Sequence, residues 1–97
     1  MAKLFLVHLG YYGDLSDGVY ESHTNTFIAA KDFADAKTKA KQHPYFRKNK
    51  MHIDGMQQID SVMGYKVVLE KQDNDNTVVV NKTYNQLAAL KKAPGKV

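Results

Sequence analysis

Two tripeptides in this chain set an imidazole and a carboxylate two residues apart: Glu21-Ser22-His23 and His52-Ile53-Asp54. In a β-strand, residues two apart point to the same face, about 7 Å apart at Cα. Each tripeptide read as strand therefore shows both groups on one side. If the two strands face a common crevice, two imidazoles and two carboxylates converge. Neutral imidazole nitrogens and carboxylate oxygens are donors for a Zn, Mn or Fe ion. Without a metal, a carboxylate beside a histidine orients the ring and favours its protonated form, which suits general acid–base work near neutral pH. The bland alternative uses the same residues. A solvated face of an antiparallel sheet is made of Glu, Ser, His, Thr and Asn, and an aspartate just before Gly55 can simply make a turn. Everything about the site depends on whether the two motifs meet.

The other polar candidates read as less chemical. His8 lies inside an apolar stretch, where a buried histidine ordinarily satisfies itself with a backbone partner. It becomes a ligand only if its strand lies beside the second one. His43 ends a helix, where a cation suits the dipole, and is read as structural. Lys37, Lys39, Lys41, Arg47, Lys48 and Lys50, with Tyr45 and Phe46 among them, form a basic face. Such a face can grip phosphates while aromatics stack bases, but lysines on a solvated helix and aromatics in a core explain it as well. Residues 10 to 18 carry three glycines and two aspartates. They read as a loop with Tyr11 and Tyr12 available to cover a ligand. The loop is no phosphate cradle, because no helix follows and Asp14 and Asp17 repel phosphate.

The elements that must position these residues follow from pattern. KLFLVHL, residues 3 to 9, reads as a central strand covered on both faces. Residues 19 to 30 form a second strand, polar first and apolar at its end. Asp32 caps a helix over residues 32 to 43 with Phe33, Ala36 and Ala40 as its apolar stripe, and Pro44 stops it. A third strand is expected at about 50 to 54 and a fourth at 61 to 71, with Gly64 as a bulge. QDNDN makes a turn, and TVVVNK, residues 77 to 82, is a fifth strand. Thr83 and Gln86 form a capping box for a short helix to Lys92, anchored by Leu87 and Leu90. Residues 94 to 97 are a frayed tail. The order is ββαβββα, and the fold class is a small single α+β domain, its mostly antiparallel sheet packed on one face by helices.

Composition narrows the class. The chain has 97 residues, 43% of them hydrophobic and 25% charged, with no cysteine and a net charge of +4. Disulfides and thiolate metal sites are excluded. The basic charge admits an acidic partner without requiring one. No apolar run is long enough for a secretory or membrane-spanning segment, so the expected location is the cytoplasm.

LFLVHLG, YESHTNTFIAA, KMHIDGM and VMGYKV occur here in the order seen in a small bacterial family known as the domain of unknown function fifteen forty-three. The chain resembles that family over about residues 3 to 70. The resemblance points to Glu21, His23, His52 and Asp54, and to Tyr65 after Gly64 as a supporting residue. Two positions depart from the family pattern. Thr24 stands where the family has an aspartate, and Met56 where it often has an aromatic. The family brings no established activity, so whether the chain is an enzyme stays open.

Three readings of function result. The first is a His/carboxylate site that binds a divalent metal or a small polar ligand, with hydrolysis as its chemistry. Glu21, His23, His52 and Asp54 are then the ligands or acid–base groups. The second is a non-catalytic module whose basic face contacts nucleic acid or an acidic protein. The third is a homodimer or larger assembly paired through the apolar Val78–Val80 edge.

Overall fold

The computed structural model describes residues 1–13 and 19–90. Its centre is a three-stranded antiparallel sheet of β1 (Lys3–Tyr12), β2 (Glu21–Ala30) and β3 (His52–Ile59), in the order β2-β1-β3. Helices α1 (Phe33–Gln42) and α2 (Pro44–Lys48) connect β2 to β3. The antiparallel sheet with a few short helices is the α+β class that the sequence pattern implies.

Strand alternation builds the core. On β1, Phe5, Val7 and Leu9 are buried, and each sits opposite a β2 residue of the same face: Ile28, Thr26 and Thr24. Their partners on β3 are Gln58, Met56 and Ile53. Helix α1 lies on this face. Its buried positions are Ala36 and Ala40, small enough to let the helix axis come close, while the Phe33 ring meets Phe5 edge-on at 5.1 Å between centroids. Met51 is buried with them, and Phe46 packs against the cluster.

The ladder between β1 and β3 contains one irregularity. His8 pairs with Gly55 but Leu9 with Ile53, so Asp54 is an extra residue. A bulge of this kind re-aims side chains. Because of it, His52 and Asp54 stay on the open face while both Ile53 and Met56 reach the core face.

Capping follows the expected chemistry. Asp32 accepts from the Asp35 N–H at 2.7 Å and starts α1. Asp35 in turn accepts from the Lys31 N–H at 3.0 Å and pairs with the Lys39 ammonium at 3.2 Å. These contacts hold its carboxyl below the usual aspartate range, the Lys31 N–H contributing most. The Thr83–Gln86 capping box forms in full and opens α3 (Tyr84–Ala88).

The structure corrects several expectations. β1 is central, but only one of its faces is covered: Leu4 and Leu6 are half-buried on the other face and His8 is exposed. Gly10, Tyr11 and Tyr12 belong to β1 and not to a loop; residues 14–18 lie outside the described residues. Pro44 does more than stop a helix. It starts α2, since a first helical position has no N–H bond to lose, and the His43 side chain accepts from the Tyr45 N–H as its cap. β3 continues well past Asp54.

The expected fourth strand is instead a minimal hairpin, β4 (Ser61–Val62) and β5 (Tyr65–Lys66). Gly64 is its turn and not a bulge: Met63 and Gly64 both take positive φ, 51° and 88°, as a tight two-residue hairpin turn requires. From Val67 to Lys82 the described chain forms no strand, so the expected fifth strand at 77 to 82 is absent, and Val78 and Val80 are each 82% exposed. A β-branched run is fit for a pleated surface, but it becomes a strand only where a neighbour supplies the ladder. Leu87 and Leu90 are likewise more than half exposed and do not belong to the core cluster. The order is therefore ββααβββα.

Two outcomes are expected. Phe5→Ala removes the largest fully buried side chain and its contact with Phe33, which costs about 3–5 kcal/mol. Urea unfolding followed by circular dichroism measures this, and a loss below about 1 kcal/mol would place the core elsewhere. Asp35→Asn lowers the melting temperature at neutral pH. Because the folded carboxyl titrates lower than the unfolded one, its stabilisation is present above the unfolded value of about 3.9 and disappears as pH falls through the folded value. The melting temperatures of wild type and variant should converge on acidification.

Candidate functional site

The register places both tripeptides around one residue. Gly10 on the central strand pairs with His23 on one side and with His52 on the other. A Cβ at Gly10 would lie 2.6 Å from His52 Nε2 and 2.7 Å from Asp54 Oδ2. The space a side chain would fill is thus occupied by β3 side chains reaching across β1 toward β2. Glycine is needed here for close approach rather than for its backbone freedom.

The four groups meet over that gap. His23 Nε2 lies 2.9 Å from Glu21 Oε1, and His23 Nδ1 lies 3.1 Å from Asp54 Oδ2. His52 Nε2 lies 3.0 Å from Asp54 Oδ1 and 3.6 Å from Glu21 Oε2. Each carboxylate therefore turns one oxygen toward each histidine. The imidazoles are 45% and 47% exposed and the carboxylates 31% and 29%, so the cluster is open to solvent along one side. Two imidazoles between two carboxylates are held together either by protons on the ring nitrogens or by a cation in their place.

The cluster contains more than the spacing indicated. His8, expected to be buried on a backbone partner, is exposed, and its Nδ1 lies 2.6 Å from Asn25 Oδ1. Its ring stacks on His23, with centroids 5.0 Å apart and planes 5° from parallel. Two groups of three donors emerge, Glu21 with His52 and Asp54, and His8 with His23 and Asp54; in each, the donor atoms lie within 4.8 Å of one another. The condition set for a ligand role of His8, that its strand lie beside the second, is met; Gly10 and Asn25 were missed in the sequence, although period-two alternation held the signal. His8 and Gly10 follow the Leu4–Leu6 face, and Asn25 continues Glu21 and His23.

The remaining candidates lie elsewhere. Tyr65 stands on β5 in the separate hairpin, 79% exposed, without a hydrogen bond or ion pair to the cluster. Thr24, the first departure from the family pattern, pairs with Leu9 on the helix-covered face, so the residue type there points away from the cluster. Met56, the second, packs against the core. His43 caps two helices, as a structural residue would. Of the basic residues, Lys39 is tied to Asp35 and to the Ala29 carbonyl. Lys37, Lys41, Arg47, Lys48 and Lys50 are exposed on α1, α2 and the turn after it. Those helices cover the face of the sheet opposite the cluster, so the two candidate surfaces are separate. No helix among the described residues is long and apolar enough to cross a membrane.

Fold and cluster together define a small α+β protein with helices on one face of an antiparallel sheet and a histidine–carboxylate cluster on the other. The family model of the Domain of Unknown Function (DUF1543) matches residues 18–69, more than half of the chain, and the chain belongs to that family. The matched span holds Glu21, His23, His52 and Asp54 but stops short of β1, so His8 and Gly10 lie outside it. No curated protein and no solved structure matches the chain.

Gly10→Ala should leave the fold in place, because the atoms its methyl meets are the ends of side chains that can swing outward. The cross-strand contacts His23–Asp54 and Glu21–His52 should be lost. Imidazole nitrogen shifts by NMR read this directly: His52 changes while His43 does not. An unchanged His52 signal would show that the strands do not approach as closely as the register requires.

Proposed function

We propose that the cluster binds a divalent first-row transition-metal ion, with Glu21, His52 and Asp54 as its protein ligands and His23 beside them. The observation that carries this reading is the tripod itself: three donor atoms from two edge strands within 4.8 Å of one another, meeting over a glycine that makes room for them. One imidazole nitrogen with carboxylate oxygens suits Zn, Mn or Fe better than Mg or Ca, which take all-oxygen shells. An ion held by three side chains on an open face keeps positions for water, and metal-bound water is acidic enough to act as a nucleophile. Metal-assisted hydrolysis is therefore the chemistry this site supports best.

Isothermal titration of chelator-treated protein with Zn and Mn tests the reading. Binding is expected for wild type, and His52→Ala and Glu21→Gln should abolish it while preserving circular dichroism and melting temperature. Affinity should fall as the solution is acidified, because protons and metal compete for the same nitrogens. Retained affinity in both variants would refute the assignment. Attention would then move to the helix-covered side, where salt-dependent binding of RNA or DNA to Lys37–Lys50 is the corresponding measurement.

A further inference from the structure

We infer that the cluster is a two-ion site, with Asp54 as the bridging carboxylate and His8 as a ligand to the second ion. This rests on the metal-binding reading above and goes beyond it in stoichiometry and in ligand set. The two donor groups of three share one residue, Asp54. Its two oxygens face different histidines, Oδ1 toward His52 at 3.0 Å and Oδ2 toward His23 at 3.1 Å. A carboxylate that offers one oxygen to each of two nitrogen donors has the arrangement of a bridge between two ions. Asp54 is free to turn this way because it is the extra residue of the β-bulge and has no partner in the ladder.

The outer contacts support the second ion independently. A histidine that ligates a metal through one nitrogen characteristically gives its other N–H to an acceptor. His8 has that acceptor in Asn25 Oδ1, 2.6 Å from Nδ1. With the proton on Nδ1, the lone pair is on Nε2. His23 has its acceptor in Glu21 Oε1, 2.9 Å from Nε2, which leaves Nδ1 turned to Asp54. The two rings lie stacked, with centroids 5.0 Å apart and planes 5° from parallel, so one ring must tilt for both in-plane lone pairs to meet the same ion. The first ion then takes Glu21, His52 and Asp54, and the second takes His8, His23 and Asp54. Two dications exceed the charge of two carboxylates by two, so hydroxide or another solution anion would supply the remaining negative charge, and water would fill the other positions.

The experiment is a Mn(II) titration of the full chain followed by calorimetry and electron paramagnetic resonance. Wild type should bind two ions per chain and, when saturated, replace the six-line spectrum of isolated Mn(II) with an exchange-coupled one. His8→Ala should reduce the stoichiometry to one and restore the six-line spectrum. His8 is exposed, so this variant should keep its fold, and circular dichroism checks that. Asn25→Ala, with the tautomer no longer set, should weaken the second ion at least tenfold and spare the first. One ion in wild type, unaffected by His8→Ala, would overturn the two-ion site and leave the single-ion reading intact. No ion in wild type would overturn both.

Discussion

The absence of a side chain at Gly10 is the constraint on which the rest of the cluster depends. In a sheet with a central strand, residues of the two outer strands are separated by the width of that strand and by whatever side chain stands on it. At Gly10 nothing stands there, so His52 and Asp54 lean over the backbone of β1, where Asp54 meets His23 and His52 meets Glu21 from β2. Any larger residue at this position separates the two motifs, however well each strand folds. One missing Cβ links local sequence spacing to a convergent set of donors.

A second device acts with it. The sheet pleat alone would send Met56 to the open face and Gly55 to the core. The extra residue at Asp54 shifts the alternation, so Met56 packs on the core while the polar residues before it stay outside. The bulge thus serves packing and chemistry together, and it explains why Asp54 can face two histidines at once. The helices then decide which face stays open. Ala36 and Ala40 allow α1 to lie close on the Phe5–Val7–Leu9 face, and the opposite face remains uncovered around the cluster.

The two positions that the resemblance marks as departures, Thr24 and Met56, take on a different weight in this geometry. Thr24 follows His23 in sequence but points through the sheet to the other side, so an aspartate there is not a member of this donor set. Met56 lies on the core side as well. Adjacent residues in a strand belong to different environments, and a motif read as a string merges them.

Alternation and capping were legible in the sequence because both are local. The pairing of Glu21 with His23 and of His52 with Asp54, the Asp32 cap and the Thr83–Gln86 box each rest on a fixed spacing along one element, and backbone geometry alone enforces that spacing. Interactions between elements were not legible. Strand order, the β1–β3 register, the bulge, the role of Gly10 and the exposure of His8 arise only when distant segments pair, and no local pattern encodes which partner a strand takes. The Val78–Val80 run shows the same limit in the other direction: a strong strand propensity that finds no neighbour stays unpaired. Outside the bulge, the sequence by itself determined which residues share a face, and the tertiary structure decided which faces meet.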